Sequence, residues 1–267
     1  MEIGELRILG GRARNGEREP VSEVVLRMGD VVSIVGPTGS GKSTLLNDLE
    51  LYADGSTPSG RRVLINGLPP PVELAEDPSR NPIARITQHT NFLSDSPVQR
   101  FLETHARIRR GGRDETAVEE TLRFANQLTG EPIAPQTAMT ELSGGQTRAL
   151  LIADAVVIGH SPIILLDEIE NAGIHRTKAL DLLRRYRKMF VFVTHDPRIA
   201  LLSDFRIILR NGGMRKVIVT DDEEKRVGEE IGKLDDLLLD FRGRIRAGEQ
   251  ITERILEERL RALGCVA

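Results

Sequence analysis

The nine residues Gly36-Pro37-Thr38-Gly39-Ser40-Gly41-Lys42-Ser43-Thr44 lie between a β-branched run, VVSIVG (31–36), and a helical stretch, KSTLLNDLELY (42–52). A strand, this loop and a helix form the context in which G-x-x-x-x-G-K-[ST] cradles phosphate. Glycines let backbone N–H groups turn inward without Cβ clashes. The helix N-terminus adds partial positive charge. Lys42 can reach the β- and γ-phosphates of a nucleoside triphosphate, and the Ser43 hydroxyl can ligate Mg2+. A Gly-rich turn without a ligand is the competing reading, and the complete motif in this context weighs against it.

A second chemical element ends another buried run. In PIILLDE the strand aims Asp167 and Glu168 at the carboxyl edge of a sheet, where open α/β sheets bind ligands. Asp167 suits a water-mediated hold on Mg2+. Glu168 suits the general base that polarises an attacking water. Two adjacent acids alone read equally well as a surface turn. Beside a phosphate loop, nucleotide hydrolysis is the better reading.

The stretch LSGGQTRAL (142–150) places Ser143, Gly144 and Gly145 in a second phosphate-cradling turn before a helix. One nucleotide does not need both turns. At this point the sequence resembles the ATP-binding cassette (ABC) superfamily, over about residues 1–215 and with the motifs in the family's order. The resemblance implies an α/β P-loop NTPase cassette with a mostly parallel core sheet, an antiparallel β subdomain and a helical subdomain at about 95–160. It implies that Ser143, Gly144, Gly145 and Gln146 complete the ATP site of an opposite subunit. Two ATP molecules would then be sandwiched in a head-to-tail dimer, with a second copy or with a different cassette. It also implies that Gln88, ending ARITQ, touches Mg2+ or the lytic water and senses a partner. His195, in FVFVTHDP, would contact the γ-phosphate.

The chain departs from the family's pattern in three places. Where members read L-D-E-P-T-S-A-L-D, this one reads Leu166-Asp167-Glu168-Ile169-Glu170-Asn171-Ala172-Gly173-Ile174. The catalytic pair survives, but the proline and closing aspartate positions hold Ile169 and Ile174. That loop talks across the dimer, so coupling between sites is affected more than hydrolysis. After the signature stand Thr147-Arg148-Ala149 and Ala153-Asp154-Ala155, where transporters carry an arginine and A-R-A. Residues 1–30 hold no aromatic to stack on adenine. Arg12 or Arg14 could stack by its guanidinium plane, or the base could pack loosely on apolar groups.

The elements that must position these residues follow from the pattern. Residues 1–30 read as antiparallel strands and turns, RVLING as a short strand and NPIARITQ (81–88) as another. Pro69, Pro70 and Pro71 forbid helix where they stand and make a rigid turn the better reading than a docking site. SPVQRFLETHARI and ETAVEETLRFANQL are amphipathic helices. PIILLDE and MFVFVTHD are buried strands flanking a helix in TKALDLLRRYRKM, an alternation that implies a parallel sheet. The basic runs at 107–113 and 182–189 read as solvated helix faces. From Thr220 the character changes, and the division expected is a cassette over 1–220 and a helical extension over 221–267. In the extension Ile231, Leu234, Leu238, Phe241 and Ile245 share one stripe, which either pairs with a partner or packs on its own domain, the commoner outcome.

Composition narrows the role. Net charge is −3 and the isoelectric point about 6.0, so no basic field advertises nucleic acid, and none is expected as a partner. Aromatics are 3% with no Trp, too few for a single-strand stacking platform. The lone Cys265 excludes a disulfide framework. No signal peptide is legible, and no apolar run approaches the ~20 residues of a membrane span. The chain is expected in the cytoplasm, at most held on the inner face of a membrane by a separate membrane subunit. Two roles remain: the ATP-hydrolysing subunit of an ABC transporter, or a soluble ABC ATPase that remodels or assembles a protein or cofactor partner. The compact single cassette favours the first, the departures the second.

Overall fold

The computed structural model describes residues 2–76, 81–87, 90, 94–168 and 176–263, and the structural statements below concern those residues. Its strands are β1 (Glu5–Leu9), β2 (Glu23–Arg27), β3 (Val31–Val35), β4 (Arg62–Ile65), β5 (Ile83–Ile86), β6 (Ile163–Asp167), β7 (Met189–Val193), β8 (Phe205–Arg210) and β9 (Gly213–Val219). Its α-helices are α1 (Lys42–Glu50), α2 (Val72–Glu76), α3 (Val98–Arg110), α4 (Glu115–Leu128), α5 (Gly144–Val156), α6 (Arg176–Arg185), α7 (Pro197–Leu202), α8 (Asp222–Arg246) and α9 (Glu253–Ala262).

The central sheet has the order β5-β6-β7-β3-β8-β9. Every pair in it is parallel except β8 with β9. Its middle strands are buried on both faces, which is why they read as unbroken apolar runs. The period of two divides them between two cores. Ile164, Leu166, Phe190 and Phe192 face α4, α5 and α6. Ile163, Leu165, Val191 and Val193 face α1 and the antiparallel sheet β2-β1-β4. That smaller sheet turns Leu6, Ile8, Val24, Leu26, Val63 and Ile65 inward against Leu45, Leu46 and Leu49 of α1.

The expected α/β cassette is therefore present, with its antiparallel subdomain and with α3, α4 and α5 inside 95–160. Several boundaries differ. The helix expected across 177–189 ends at Arg185, because Arg187 turns with φ 50° and Met189 already pairs in β7. The strand expected over 81–88 is Ile83–Ile86.

A charged group is buried where three units meet. Arg61, fully buried just before β4, forms ion pairs with Glu19 of the β subdomain and Asp48 of α1, and donates to the Gly212 carbonyl in the β8–β9 turn. Glu19 in turn accepts from the amides of Gly11 (2.8 Å) and Met214 (2.6 Å). Such a cluster is tolerated only because one guanidinium pairs with both carboxylates and each group is hydrogen-bonded.

α8 follows the sheet. Asp221 caps it by accepting from the Glu224 amide at 2.8 Å. It lies on α7 through Gly228 and Gly232, beneath which Arg198 is buried and reaches Asp235 and Asp236. Its apolar stripe does not turn into that contact. Leu234, Leu238 and Ile245 stay exposed while Ile231 and Phe241 are half-buried, so packing on its own domain covers only part of the stripe.

Candidate functional site

The phosphate loop is built by β3, held between β7 and β8, and by α1, which starts at Lys42. At Gly36 a Cβ would run into the Leu209 carbonyl and the Ser40 side chain. Gly41 has φ 101° and its back lies against Gly212, so both space and conformation demand glycine there. The loop is braced from β8–β9: the Gly212 amide donates to the Ser40 carbonyl at 2.8 Å, and the Arg14 amide to the Asn211 carbonyl at 2.9 Å. Lys42 Nζ folds over the loop and donates to the carbonyls of Gly36 (2.9 Å) and Pro37 (3.3 Å).

The carboxylates arrive from the next strand but one. β6 pairs with β7, Asp167 standing opposite Val193. Glu168 follows in the left-handed region, with φ 50°, fixed by its amide donating to the Val193 carbonyl at 3.0 Å. For a non-glycine residue this conformation is strained and marks a site held by its surroundings. Thr194 is fully buried and its amide donates to Ile34 at 3.3 Å; Asp196 caps α7 through the Arg198 amide at 2.8 Å. His195 is presented between these two anchored neighbours. Its Nε2 lies 3.4 Å from Glu168 Oε1.

A cavity of about 200 Å3 joins these parts. Its lining includes Thr38, Gly39, Lys42, Ser43, Asp167 and Glu168, together with Gly41, Thr44, Val193 and Arg14. The Ser43 hydroxyl and the Asp167 carboxylate thus face one space. That pair of hard oxygen donors, with room left for further oxygen ligands, suits Mg2+.

Arg85 is a member of the site that sequence reasoning passed over. From β5 it reaches Asp167 at 3.5 Å while held by Glu50 (2.7 Å) and Asn47 (2.6 Å) of α1. It ties the helix that carries Lys42 to the strand that carries the carboxylates. Its one signal was a cation inside a short strand bounded by Ile83 and Ile86.

The signature turn is elsewhere. Ser143 is the N-cap of α5 in a reciprocal pair: its amide donates to Gln146 Oε1 at 2.9 Å, and its Oγ accepts from the Gln146 amide at 3.3 Å. Gln146 also donates to the Pro132 carbonyl at 3.2 Å. Ser143 and Gly144 are exposed, Gly145 is partly so, and none of 143–146 lines the phosphate-loop cavity. Gln88 and the altered Ile169 to Ile174 segment lie outside the described residues, as does Cys265.

Comparison with known proteins decides what this arrangement belongs to. The family described as "ABC transporter" matches residues 22–171, more than half of the chain. The chain belongs to the ABC transporter family.

It is an ATPase cassette of that family, and the resemblance carried by its motifs holds. An uncharacterized ABC transporter ATP-binding protein of Methanocaldococcus jannaschii is 50% identical over 252 residues, covering 94% of this chain and 96% of that protein. The thiamine import ATP-binding protein ThiQ of Brucella suis is 30% identical over 218 residues, covering 78% of this chain and 86% of ThiQ. Among solved structures, a dimeric ATP-binding cassette in a post-hydrolysis state bound to ADP and Pi superposes with a TM-score of 0.59 at 25% identity, covering 81% of this chain and 99% of the other. Among the described residues, no helix of this chain is long and apolar enough to cross a membrane.

Proposed function

We propose that this chain is the ATP-hydrolysing subunit of a transporter whose membrane-spanning part is a separate chain, and that it works as a head-to-tail dimer on the cytoplasmic side. In this reading residues 1–220 form the cassette and 221–267 an extension. One observation carries it: Lys42, Ser43, Asp167 and Glu168 line one cavity, while the signature turn at Ser143–Gln146 lies outside it with Ser143 and Gly144 exposed. A second phosphate cradle that does not line the cavity of the first has a use if it closes over the nucleotide of another subunit. ThiQ is a thiamine import protein by name, which favours transport over the soluble alternative; no cargo is assigned to this chain.

The roles follow from chemistry. The backbone N–H groups of Gly36 to Thr44 would hold the phosphates, with Lys42 leaving its loop carbonyls to neutralise charge on the γ-phosphate. Ser43 and Asp167 would hold Mg2+, with Gln88, and when bound the ion supplies charge neutralisation on the phosphate oxygens. Glu168 would accept a proton from water as its oxygen attacks the γ-phosphorus and the bond to the bridging oxygen breaks. His195, at 3.4 Å from Glu168, would orient that carboxylate and donate to the γ-phosphate.

The test is Glu168→Gln with Mg2+ and ATP. The amide cannot take the proton, so the closed pair is expected to persist and elute as a dimer retaining ATP. A monomer with ATP bound, in material free of other cassettes, would overturn the sandwich. Capture of the same variant from detergent-treated native cells with ATP present then separates the two roles: a polytopic membrane protein supports transport, soluble partners alone the alternative.

A further inference from the structure

The two carboxy-terminal helices leave an apolar seam uncovered. On α8, Val227, Ile231, Leu234, Leu238, Phe241 and Ile245 follow one another at intervals of four, three, four, three and four residues. This alternation is the spacing of a coiled-coil seam. The chain's own body takes only part of it. α8 rests on α7 through the buried Gly228 and Gly232, which lie about 100° round the helix from the seam. α9 runs back beside it, tied by Arg259 to Asp240 at 3.4 Å, and Leu263 just past its end borders the seam at Val227, Ile231 and Leu234 without covering it. Val227, Leu234, Leu238 and Ile245 remain 47%, 43%, 53% and 63% exposed. Ile231 and Phe241 are half-buried, and a groove of about 420 Å3 lined by Val227, Ile231, Leu234 and Leu263 opens along the seam.

Charge on α8 is polarised along its length. Residues 222–230 carry five acids and two bases, while residues 242–246 carry three arginines and no acid. A second α8 laid antiparallel sets each acidic end on a basic one and opposes the two helix dipoles. A parallel mate sets acid on acid. The apolar side chains match under the same operation: Val227 meets the second copy's Ile245, Ile231 its Phe241 and Leu234 its Leu238, all three layers centred on Asp236. A seam that is its own complement under a two-fold axis is what an isologous contact requires.

We propose that the α8 seam is closed by the α8 of a second copy of this chain, antiparallel and without nucleotide. The contact would tether two cassettes while their ATP sites are open, so that each ATP-driven closure is an intramolecular event at raised effective concentration.

The proposal is tested on the full chain freed of nucleotide and Mg2+, where an ATP sandwich contributes nothing, so its outcome is separate from that of the Glu168→Gln experiment. Light scattering across a wide concentration range is expected to give the dimer mass. The double variant Leu234→Glu/Leu238→Glu is expected to give the monomer mass with its melting temperature kept. A wild-type monomer at every concentration would overturn the proposal and leave the seam to a different chain; a persistent dimer in the double variant would overturn it as well. Orientation is read in a Cys265→Ser background. Chains carrying Val227→Cys and chains carrying Ile245→Cys are expected to cross-link when mixed and oxidised. Cross-linking of each variant only with itself would overturn the antiparallel order.

Discussion

Glu168 Oε1 and His195 Nε2 lie 3.4 Å apart, each just beyond the carboxyl end of one of two paired parallel strands. The contact depends on backbone that is fixed on both sides. Glu168 is bonded to the Val193 carbonyl and His195 is flanked by the buried Thr194 and the capping Asp196. His195→Ala is expected to lower ATP turnover by about 10²- to 10⁴-fold, the scale of a lost proton-handling group. Nucleotide binding, followed by fluorescence of a labelled ATP, should change little. Loss of binding with turnover per bound site intact would place His195 outside the chemistry.

Lys42→Ala removes the cation that faces both the loop carbonyls and the cavity. Phosphate release by the purified variant should fall at least about 100-fold, the cost of one preorganised charge-stabilising group. Turnover near wild type would sink the phosphate-loop assignment.

Arg61→Met strips the shared cation from Glu19 and Asp48, both buried. Leaving buried carboxylates unpaired costs about 3–5 kcal/mol. The melting temperature should drop by on the order of 10 °C. Arg61→Met combined with Glu19→Gln and Asp48→Asn should recover part of that loss, because no uncompensated charge is left behind. A triple variant no more stable than the single one would show that shape, not charge, holds this junction.

Lys188 is buried, its Nζ donating to the Val156 carbonyl at 2.7 Å, and burial, helped by Arg110 nearby, pushes its pKa down from 10.5 to about 8. The folded state therefore releases this proton at lower pH than the unfolded state. Below about pH 8 both states are charged and burial costs stability in full; between 8 and about 10.5 the folded state is neutral, and the cost fades as pH rises. Lys188→Met should raise the melting temperature at pH 7 and lose that advantage near pH 10. Melting curves of the two proteins at several pH values check it, and a difference independent of pH would refute it.

The sheet was legible because its strands are buried on both faces, so VVSIV, IILL and MFVFV carry no helical alternation. The site was legible where chemistry forces residue type, as at Gly36, Gly41, Lys42 and the acids after β6. The β8–β9 hairpin was passed over although Asn211-Gly212 between two apolar stretches is a two-residue turn signal, and both residues do take positive φ. Arg85 could not be read, since only the parallel register of β5 with β6 and the approach of α1 reveal that it answers Asp167. The stripe on α8 was visible as a period, but which side rests on the body is decided by Gly228 and Gly232, residues that leave no mark in a hydrophobic pattern.

The Asn211–Gly212 turn also changes where the chain can be altered. The tip of a hairpin is ordinarily a safe place to splice in an epitope or a fluorescent reporter. Here the tip is a keystone: it abuts Gly41, bonds Ser40 and Arg14, and receives Arg61 from below. An insertion at 211–212 would loosen the phosphate loop from a distance in sequence of some 170 residues. A tolerant site for such a label is the Gly111–Gly112 turn between α3 and α4, where the backbone reaches open space.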